Sequence, residues 1–434
     1  MTGVEFLIQK LNALIWSDVT LVLLLGTGLY FTVKLRFCQA AKLKRGFSVL
    51  FCGKKGSEAG VSQFQTAATT LAATMGTGNL VGVATAITIG GAGAIFWMWM
   101  SAFLGMALVY TENVLGAKYR RRDENGVWQG GPMAYLEHGV GSRPLALLFA
   151  FFCVLASLGM GNMVQTNAVA QSLSSLHIPA EITALVLAVG IAVILFGGME
   201  RIGKAAVCLI PPVSVCYLLG ALIVLLLHAD AIPAACSEIF RGAFGLSAAG
   251  GGVAGAAVRS CINIGMRRGV FSNEAGLGSA PLLHSNAAEE DPDIQGACGI
   301  AEVFLDTIVC CTMTALVLLT TGAAQSGTDG ALMLRAAFSE SFGACGAWFV
   351  TAAIALYAVG TLIGWSGCGL CASRYLSPKW GESVYRLCFL ACCFVGATTS
   401  LTTVWTLSDC LNGLMLLPNL IALLLLRNEV KCTS

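Results

Sequence analysis

Long apolar runs separated by short polar connections organise this chain. They recur near residues 17–36, 62–90, 93–118, 144–175, 180–197, 203–228, 246–280, 297–322, 346–372, 383–400 and 402–426. A helix needs roughly 20 apolar residues to cross hydrocarbon. The pattern therefore predicts an all-α integral membrane protein with about eleven transmembrane helices. The seventh run is the weakest, because glycine and polar residues dilute it.

Charge in the connections alternates. The first holds Arg36, Lys42, Lys44, Arg45, Lys54 and Lys55; the third holds Lys118, Arg120, Arg121, Arg122 and Arg143. Arg201 and Lys204 follow, then Arg267 and Arg268, then Arg374, Lys379 and Arg386, then Arg427 and Lys431. The intervening connections carry little Lys or Arg beyond Arg241 and Arg335. Because cytoplasmic loops collect Lys and Arg, this predicts an outside N-terminus and a cytoplasmic C-terminus. An odd number of spans demands the same. The acidic stretch Glu289-Glu290-Asp291-Pro292-Asp293 reads as a solvated loop on the cytoplasmic side.

The second run is broken in its middle by Gly76-Thr77-Gly78-Asn79. Glycine costs roughly 1 kcal/mol against alanine inside a helix. Backbone groups left unpaired in hydrocarbon cost several kcal/mol each, so such a break belongs where it faces a cavity or a solute. The seventh run, Gly250 to Pro281, is also irregular: it is rich in glycine and carries Arg259, Asn263, Arg267, Arg268, Asn273 and Glu274. Its break is expected around Ile262-Asn263-Ile264-Gly265. An offset of five spans reverses the direction of the chain across the membrane. Two five-helix halves of opposite topology, each opening with a discontinuous helix, are the mark of an inverted-repeat secondary transporter. The expected division is 1–61 for an extra N-terminal helix and basic loop, 62–228 and 229–426 for the two repeats, and 427–434 for a cytoplasmic tail.

The polarity of the first break suggests its ligand. The N–H groups of Gly78 and Asn79 start the second half-helix and suit a carboxylate. The carbonyls near Ala72, Thr74 and Met75 end the first half and suit sodium or an ammonium group. A zwitterionic amino acid offers both charges. The small neighbours Ala72, Ala73, Gly76, Gly78, Gly82 and Ala84 suggest a small one. The competing reading is a close glycine-rich helix contact, which leaves Asn79 unexplained.

Composition narrows the classes further. Hydrophobic residues make up 56% and charged residues 11%, well below the roughly 25% charge of soluble domains. The net charge of +2 and the lack of a basic patch argue against nucleic acid as a partner and leave the lipid bilayer as the surrounding medium. The eighteen cysteines fall mostly in apolar runs, where free thiols act as small hydrophobes. The CxxC pair Cys368 and Cys371 lacks a second Cys/His pair nearby. No cleavable signal peptide is expected from MTGVEFLIQK. The sequence contains no HExxH and no GxSxG, and its four histidines fall near predicted loops, so an enzyme is poorly supplied and no prosthetic group is expected. An ion channel is a further alternative, since broken helices also line filters.

Several blocks resemble the alanine or glycine:cation symporter family: Gly76 to Ala84 (GTGNLVGVA), Gly90 to Trp99 (GGAGAIFWMW), Gly161 to Asn167 (GNMVQTN), Arg268 to Pro281 (RGVFSNEAGLGSAP), Val404-Trp405 and Pro418-Asn419. The resemblance runs over nearly the whole chain. It implies a leucine-transporter-like fold in the cytoplasmic membrane and uptake of alanine, glycine or a similar amino acid with sodium as coupling ion. It also implies that Thr77, Gly78, Asn79, Gln165, Asn263 and Ile264 receive the substrate, that Trp365 closes over its side chain, and that Ala72, Met75 and Thr361 bind sodium. The ninth run departs from the family pattern. Gly360 stands where a serine usually precedes the threonine, and Gly367, Cys368 and Leu370 stand where a tyrosine pair and a glutamate usually follow. The first change bears on sodium affinity and on sodium against proton coupling; the others bear on pocket width and substrate.

Other polar residues within runs are Asn162, Glu112, Glu302 and Asp306. Asn162 reads as glue between helices or as a neighbour of the site. The three carboxylates read as partners of Arg259, Arg267 or Arg268, with a proton relay as the alternative. Asn273 and Glu274 are expected in a cytoplasmic network, as a gate or a cap. Trp97 and Trp99 read as interfacial anchors.

Overall fold

The computed structural model describes residues 3–52, 61–122, 128–174, 177–245 and 251–432. Lys54 and Lys55 of the basic first connection, and the start of the seventh expected run, lie outside them. The described chain is almost entirely helical: α1 (Gly3–Ile15), α2 (Asp18–Lys34), α3 (Cys38–Cys52), α4 (Gln63–Thr74), α5 (Gly78–Gly90), α6 (Ala94–Tyr119), α7 (Arg143–Ser174), α8 (Ala180–Leu195), α9 (Gly198–Leu227), α10 (Ile232–Ala243), α11 (Gly251–Asn273), α12 (Ala280–His284), α13 (Pro292–Thr320), α14 (Gly330–Phe342), α15 (Ala344–Leu376), α16 (Gly381–Thr398) and α17 (Leu401–Leu425). A two-residue antiparallel pair, Arg121–Arg122 with Trp128–Gln129, interrupts the helices.

Among the described residues seven helices are long and apolar enough to cross a membrane, and eight if the bent pair α4–α5 counts as one span. This is a multi-pass membrane protein. Its exterior agrees: Val186, Val189, Val193, Leu226, Leu227 and Leu387 are exposed along α8, α9 and α16, an apolar surface that suits lipid rather than water. Most of the interior is a large apolar cluster containing Phe31, Tyr110, Phe149, Tyr217, Phe338 and Trp365, with smaller clusters beside it.

Local chemistry sets the helix starts. Ser62 caps α4 by accepting from Gln65 N at 3.1 Å, and Ser400 caps α17 by accepting from Thr403 N at 3.3 Å. The central helix α15 packs against α4, α7, α9 and α16. Its Gly364 lies on the backbone of Ala73, where any Cβ would overlap the chain of α4. That close approach holds the end of α4 against α15.

The first and third basic connections meet at the segment 285–293. Lys42 and Arg45 pair with Asp293 at 2.7 and 2.6 Å, Tyr110 Oη donates to the same carboxylate at 2.5 Å, and Arg120 donates to the carbonyls of Ser285 and Ala287. The acidic stretch expected to be solvated is therefore partly built in: Glu289 is buried and Asp293 forms a junction between α3, α6 and α13. Trp97 and Trp99 also do more than anchor, donating to Ala243 O and to Thr312 Oγ1.

Candidate functional site

The second expected run is interrupted where glycine predicts it. Helix α4 ends at Thr74, and α5 starts at Gly78 with its axis bent by 47°. In an unbroken helix the amides of Gly76 and Thr77 would donate to the carbonyls of Ala72 and Ala73. Here Gly76 N donates to Asn79 Oδ1 at 2.9 Å, and Thr77 N points at Gln165 Oε1 at 3.4 Å. The carbonyls of Ala72 and Ala73 thus lose the donors a continuous helix would give them. Thr77 Oγ1 also donates to Gln165 Oε1, at 2.8 Å, and Gln165 Nε2 donates to Met160 O at 3.0 Å. Gln165 therefore braces the break from α7.

Beside Gly76, in the break itself, stands Thr361 of α15. Its Oγ1 is buried and has no hydrogen-bond partner among the described residues. It sits against Gly76 so closely that a Cβ on Gly76 would overlap it. The position of a Cβ on the neighbouring Gly360 would be 3.9 Å from Ala72 O. An orphan hydroxyl and freed carbonyls meet at the negative end of α4, a donor set suited to a small hard cation. Met75 completes the end of α4, with its N–H still bonded to Leu71 O.

The seventh expected run breaks elsewhere than anticipated. Helix α11 is continuous through Ile262, Asn263, Ile264 and Gly265; the non-helical segment is 274–279. Positive φ at Glu274 (57°), Gly276 (89°) and Gly278 (78°) turns the chain there. Glycine density misled because it served packing: Gly265 touches Ala94 and Trp97, and Ile264 touches Gly90 at the far end of α5. Asn263 and Ile264 are thus remote from the first break. Side chains hold the real break open. Gly278 N donates to Glu112 Oε1 at 3.1 Å, Asn419 Nδ2 donates to Gly276 O at 2.8 Å, and Ala275 N donates to Asn273 Oδ1 at 3.0 Å. Trp365 Nε1 donates to Glu274 Oε1 at 2.6 Å, and Ser279 Oγ donates to Glu274 Oε2. Trp365 accordingly stands at the second break, with its Cβ against Gly161.

The two breaks meet. Gly78 is in contact range of Phe271 and Ser272 at the end of α11. Asp306 links them: Oδ1 accepts from Asn79 Nδ2 at 2.7 Å, and Oδ2 accepts from Ser272 Oγ and Thr307 Oγ1, both at 2.8 Å. The residues around this junction, Gly78–Gly82, Gly159–Met163 and Phe304–Cys311, all adopt wide π-helical turns. Such turns recur at functional sites because they redirect backbone groups.

So Thr77, Gly78, Asn79 and Gln165 come together, with Ala72, Met75 and Thr361 on the adjoining face and Trp365 at the second break. Asn263 and Ile264 do not join them. Asp306, Ser272 and Glu274 do, and the sequence signal for the carboxylates was their presence in apolar runs. None of the three intramembrane carboxylates pairs with arginine as expected. Glu112 holds the second break, Asp306 the junction, and Glu302 pairs with His284. Arg267 and Arg268 are not in a cytoplasmic connection: they lie within α11 and share Asp409 of α17, at 2.8 and 3.3 Å. Arg259 pairs with Asp18. The departures in α15 are filled by other helices. Ile210 occupies the space beside Gly360, and Met199 and Leu283 come within 3.3 Å of where a Gly367 Cβ would be. The lost side chains therefore leave little room there.

Residues 1–433 match the pattern of the sodium:alanine symporter family. The chain is 44% identical to the sodium/alanine symporter AgcS of Methanococcus maripaludis, covering 98% of this chain and 95% of that protein. It is 42% identical to an uncharacterized transporter of Haemophilus influenzae, over 98% and 94%, and 35% identical to the amino-acid carrier protein AlsT of Bacillus subtilis, over 95% and 88%. In fold it is similar to a sodium-coupled sialic acid symporter in a substrate-bound outward-open state (TM-score 0.52, 13% identity, 90% of this chain and 82% of that one). It is also similar to a manganese transporter of Eremococcus coleocola (TM-score 0.53, 15% identity, 83% and 76%).

Proposed function

Because the chain belongs to the sodium:alanine symporter family, we propose that it imports alanine or glycine across the cytoplasmic membrane, driven by sodium. Cation-coupled symport of an amino acid, rather than an enzymatic reaction, is the activity the family supports. Under this reading α8, α11 with α12, and α16 join the eight apolar spans to make eleven. The N-terminus lies outside and the C-terminus in the cytoplasm. Residues 62–228 and 229–426 form the two inverted halves, preceded by the extra helix of 1–61.

The observation that carries the reading is the buried Thr361 hydroxyl, without a hydrogen-bond partner among the described residues, seated against Gly76 in the first break. Sodium bound by Ala72, Met75 and Thr361 would fix the end of α4. The substrate carboxylate would then meet the start of α5 at Thr77, Gly78 and Asn79, where the helix dipole is positive. Gln165 positions Thr77, and Trp365 bounds the site from the second break. Asn263 and Ile264 drop out of this set, replaced by Ser272 and Glu274. Sodium and substrate each stabilise the same closed arrangement of α4 and α15, so each raises the other's affinity equally. Rocking of one helix bundle against the other exposes the site alternately.

Purified protein in liposomes tests this. Labelled alanine should accumulate under an inward sodium gradient, and uptake unchanged on removing sodium rejects the coupling. Asp306, a carboxylate at the junction of both breaks, favours proton coupling as the second reading. Uptake driven by a pH gradient alone would select it.

A further inference from the structure

A second cluster of chemically capable side chains lies at the far end of α4. His284 closes α12, while Cys298 and Glu302 stand one turn apart on one face of α13. All three are buried, and their donor atoms lie within 4.8 Å of one another. His284 Nε2 is 3.0 Å from Glu302 Oε2, and Cys298 Sγ is 3.4 Å from Glu302 Oε1. Ligand atoms around a tetrahedral zinc ion stand about 3.3–3.6 Å apart, from bond lengths of roughly 2.0–2.3 Å. Small adjustments therefore close a three-ligand cradle.

The hydrogen bonding calls for a proton or a cation between His284 and Glu302. Gln295 Nε2 donates to Gln63 Oε1 and to Glu289 O, so Gln295 Oε1 is the atom turned toward His284. It accepts from His284 Nδ1 at 2.6 Å. The proton of a neutral ring is then on Nδ1, and Nε2 turns its lone pair toward the Glu302 carboxylate. Two lone pairs cannot face each other at 3.0 Å without a proton or a cation between them. A metal-bound histidine commonly has this arrangement, with its second N–H donated to an oxygen.

We propose that His284, Cys298 and Glu302 form a binding site for a thiophilic divalent cation of the zinc class, and that its occupancy clamps the base of α4. The charges balance. The thiol proton and the proton shared by His284 and Glu302 leave to solvent, and one divalent cation replaces them. Thiolate, carboxylate and neutral imidazole then leave the buried site with no net charge, which a low-dielectric interior tolerates. No oxidation or reduction is involved. The clamp follows from Gln63, the first residue of α4, whose Nε2 donates to Cys298 Sγ at 3.3 Å. The other end of α4 is the first break, about 18 Å away along a 12-residue helix. If α4 moves during transport, as the proposed function requires, a metal at its base slows that motion.

The test uses the purified full-length protein in lipid nanodiscs with zinc or cobalt. Wild type should bind one equivalent of zinc more than His284→Gln or Cys298→Ser, with affinity reduced by more than about 100-fold in either variant. Cobalt should give a thiolate charge-transfer band in wild type that Cys298→Ser lacks. Equal zinc binding by wild type and both variants overturns the site. So does wild type with no bound equivalent, whether or not the variants fold. In liposomes zinc should slow alanine uptake by wild type but not by His284→Gln; bound zinc without effect on wild-type uptake overturns the clamp alone. The binding measurement stands even if the transported solute differs from the one proposed.

Discussion

Thr361 and Asn79 carry the sharpest residue-level consequences, and they differ in kind. The Thr361 hydroxyl has no hydrogen-bond partner among the described residues, so Thr361→Val removes no hydrogen bond seen among them. Its thermal unfolding midpoint should match wild type while the sodium concentration for half-maximal uptake rises about tenfold, the loss of one hydrogen-bond-class ligand of about 1.4 kcal/mol. Asn79 is fully engaged, bonded to Gly76 N on one side and to Asp306 on the other. Asn79→Ala leaves a buried amide and a buried carboxylate oxygen unpaired, at about 1–3 kcal/mol each. A lowered unfolding midpoint together with uptake reduced to background is expected, and wild-type uptake in this variant would show that the first break is not the site. Residues 76–79 were legible from sequence because glycine and asparagine in a membrane-length run have few other uses. The second break was legible only as a region. Glycine at Gly265 serves close packing while glycine at Gly276 and Gly278 serves positive φ, and the letters alone do not distinguish the two.

At the scale of elements, the contact between α4 and α15 controls the site. Gly360 leaves its space to Ile210 of α9. Gly360→Ser alone should push Ile210 off its rotamer at about 0.5–1.5 kcal/mol. Pairing it with Ile210→Val should recover the loss and tighten sodium binding by adding a hydroxyl facing Ala72. A double variant with sodium affinity no better than wild type would detach Gly360 from the cation site. The pair α11–α17 is tied by Arg267 and Arg268 on Asp409, with Arg268 also 4.5 Å over the Trp405 ring. Asp409→Asn strips the buried Arg268 and the partly buried Arg267 of their counter-charge and should destabilise by about 3–5 kcal/mol, visible as a lower unfolding midpoint in detergent. Helix existence was readable throughout, because apolar length is a one-dimensional property. The partners of the charged side chains were not, since pairing depends on which helices become neighbours. Asp409, absent from the sequence-derived candidates, turned out to be the arginines' partner.

For the whole molecule, exposed apolar residues on α8, α9 and α16 and the seven long apolar helices fix the bilayer as solvent. The first and third basic connections meet the 285–293 segment, on the side proposed to be cytoplasmic. The exposed Lys118 is on this side, so a membrane-impermeant amine label applied to intact cells should spare it, and labelling from outside would reverse the proposed orientation. The first break was recoverable from sequence because glycine and asparagine interrupt an apolar run there. The clasp at the base of α4 was not, because Gln63, His284, Cys298 and Glu302 are scattered in sequence and converge only in the fold.

Alanine binding titrated at rising sodium concentration, in wild type and in Thr361→Val, addresses the joint site most directly. Wild type should bind alanine more tightly with each increment of sodium, and the variant should show that dependence shifted to about tenfold higher sodium with its fold unchanged. The same sodium dependence in both proteins, or none in wild type, contradicts a cation held between the end of α4 and α15.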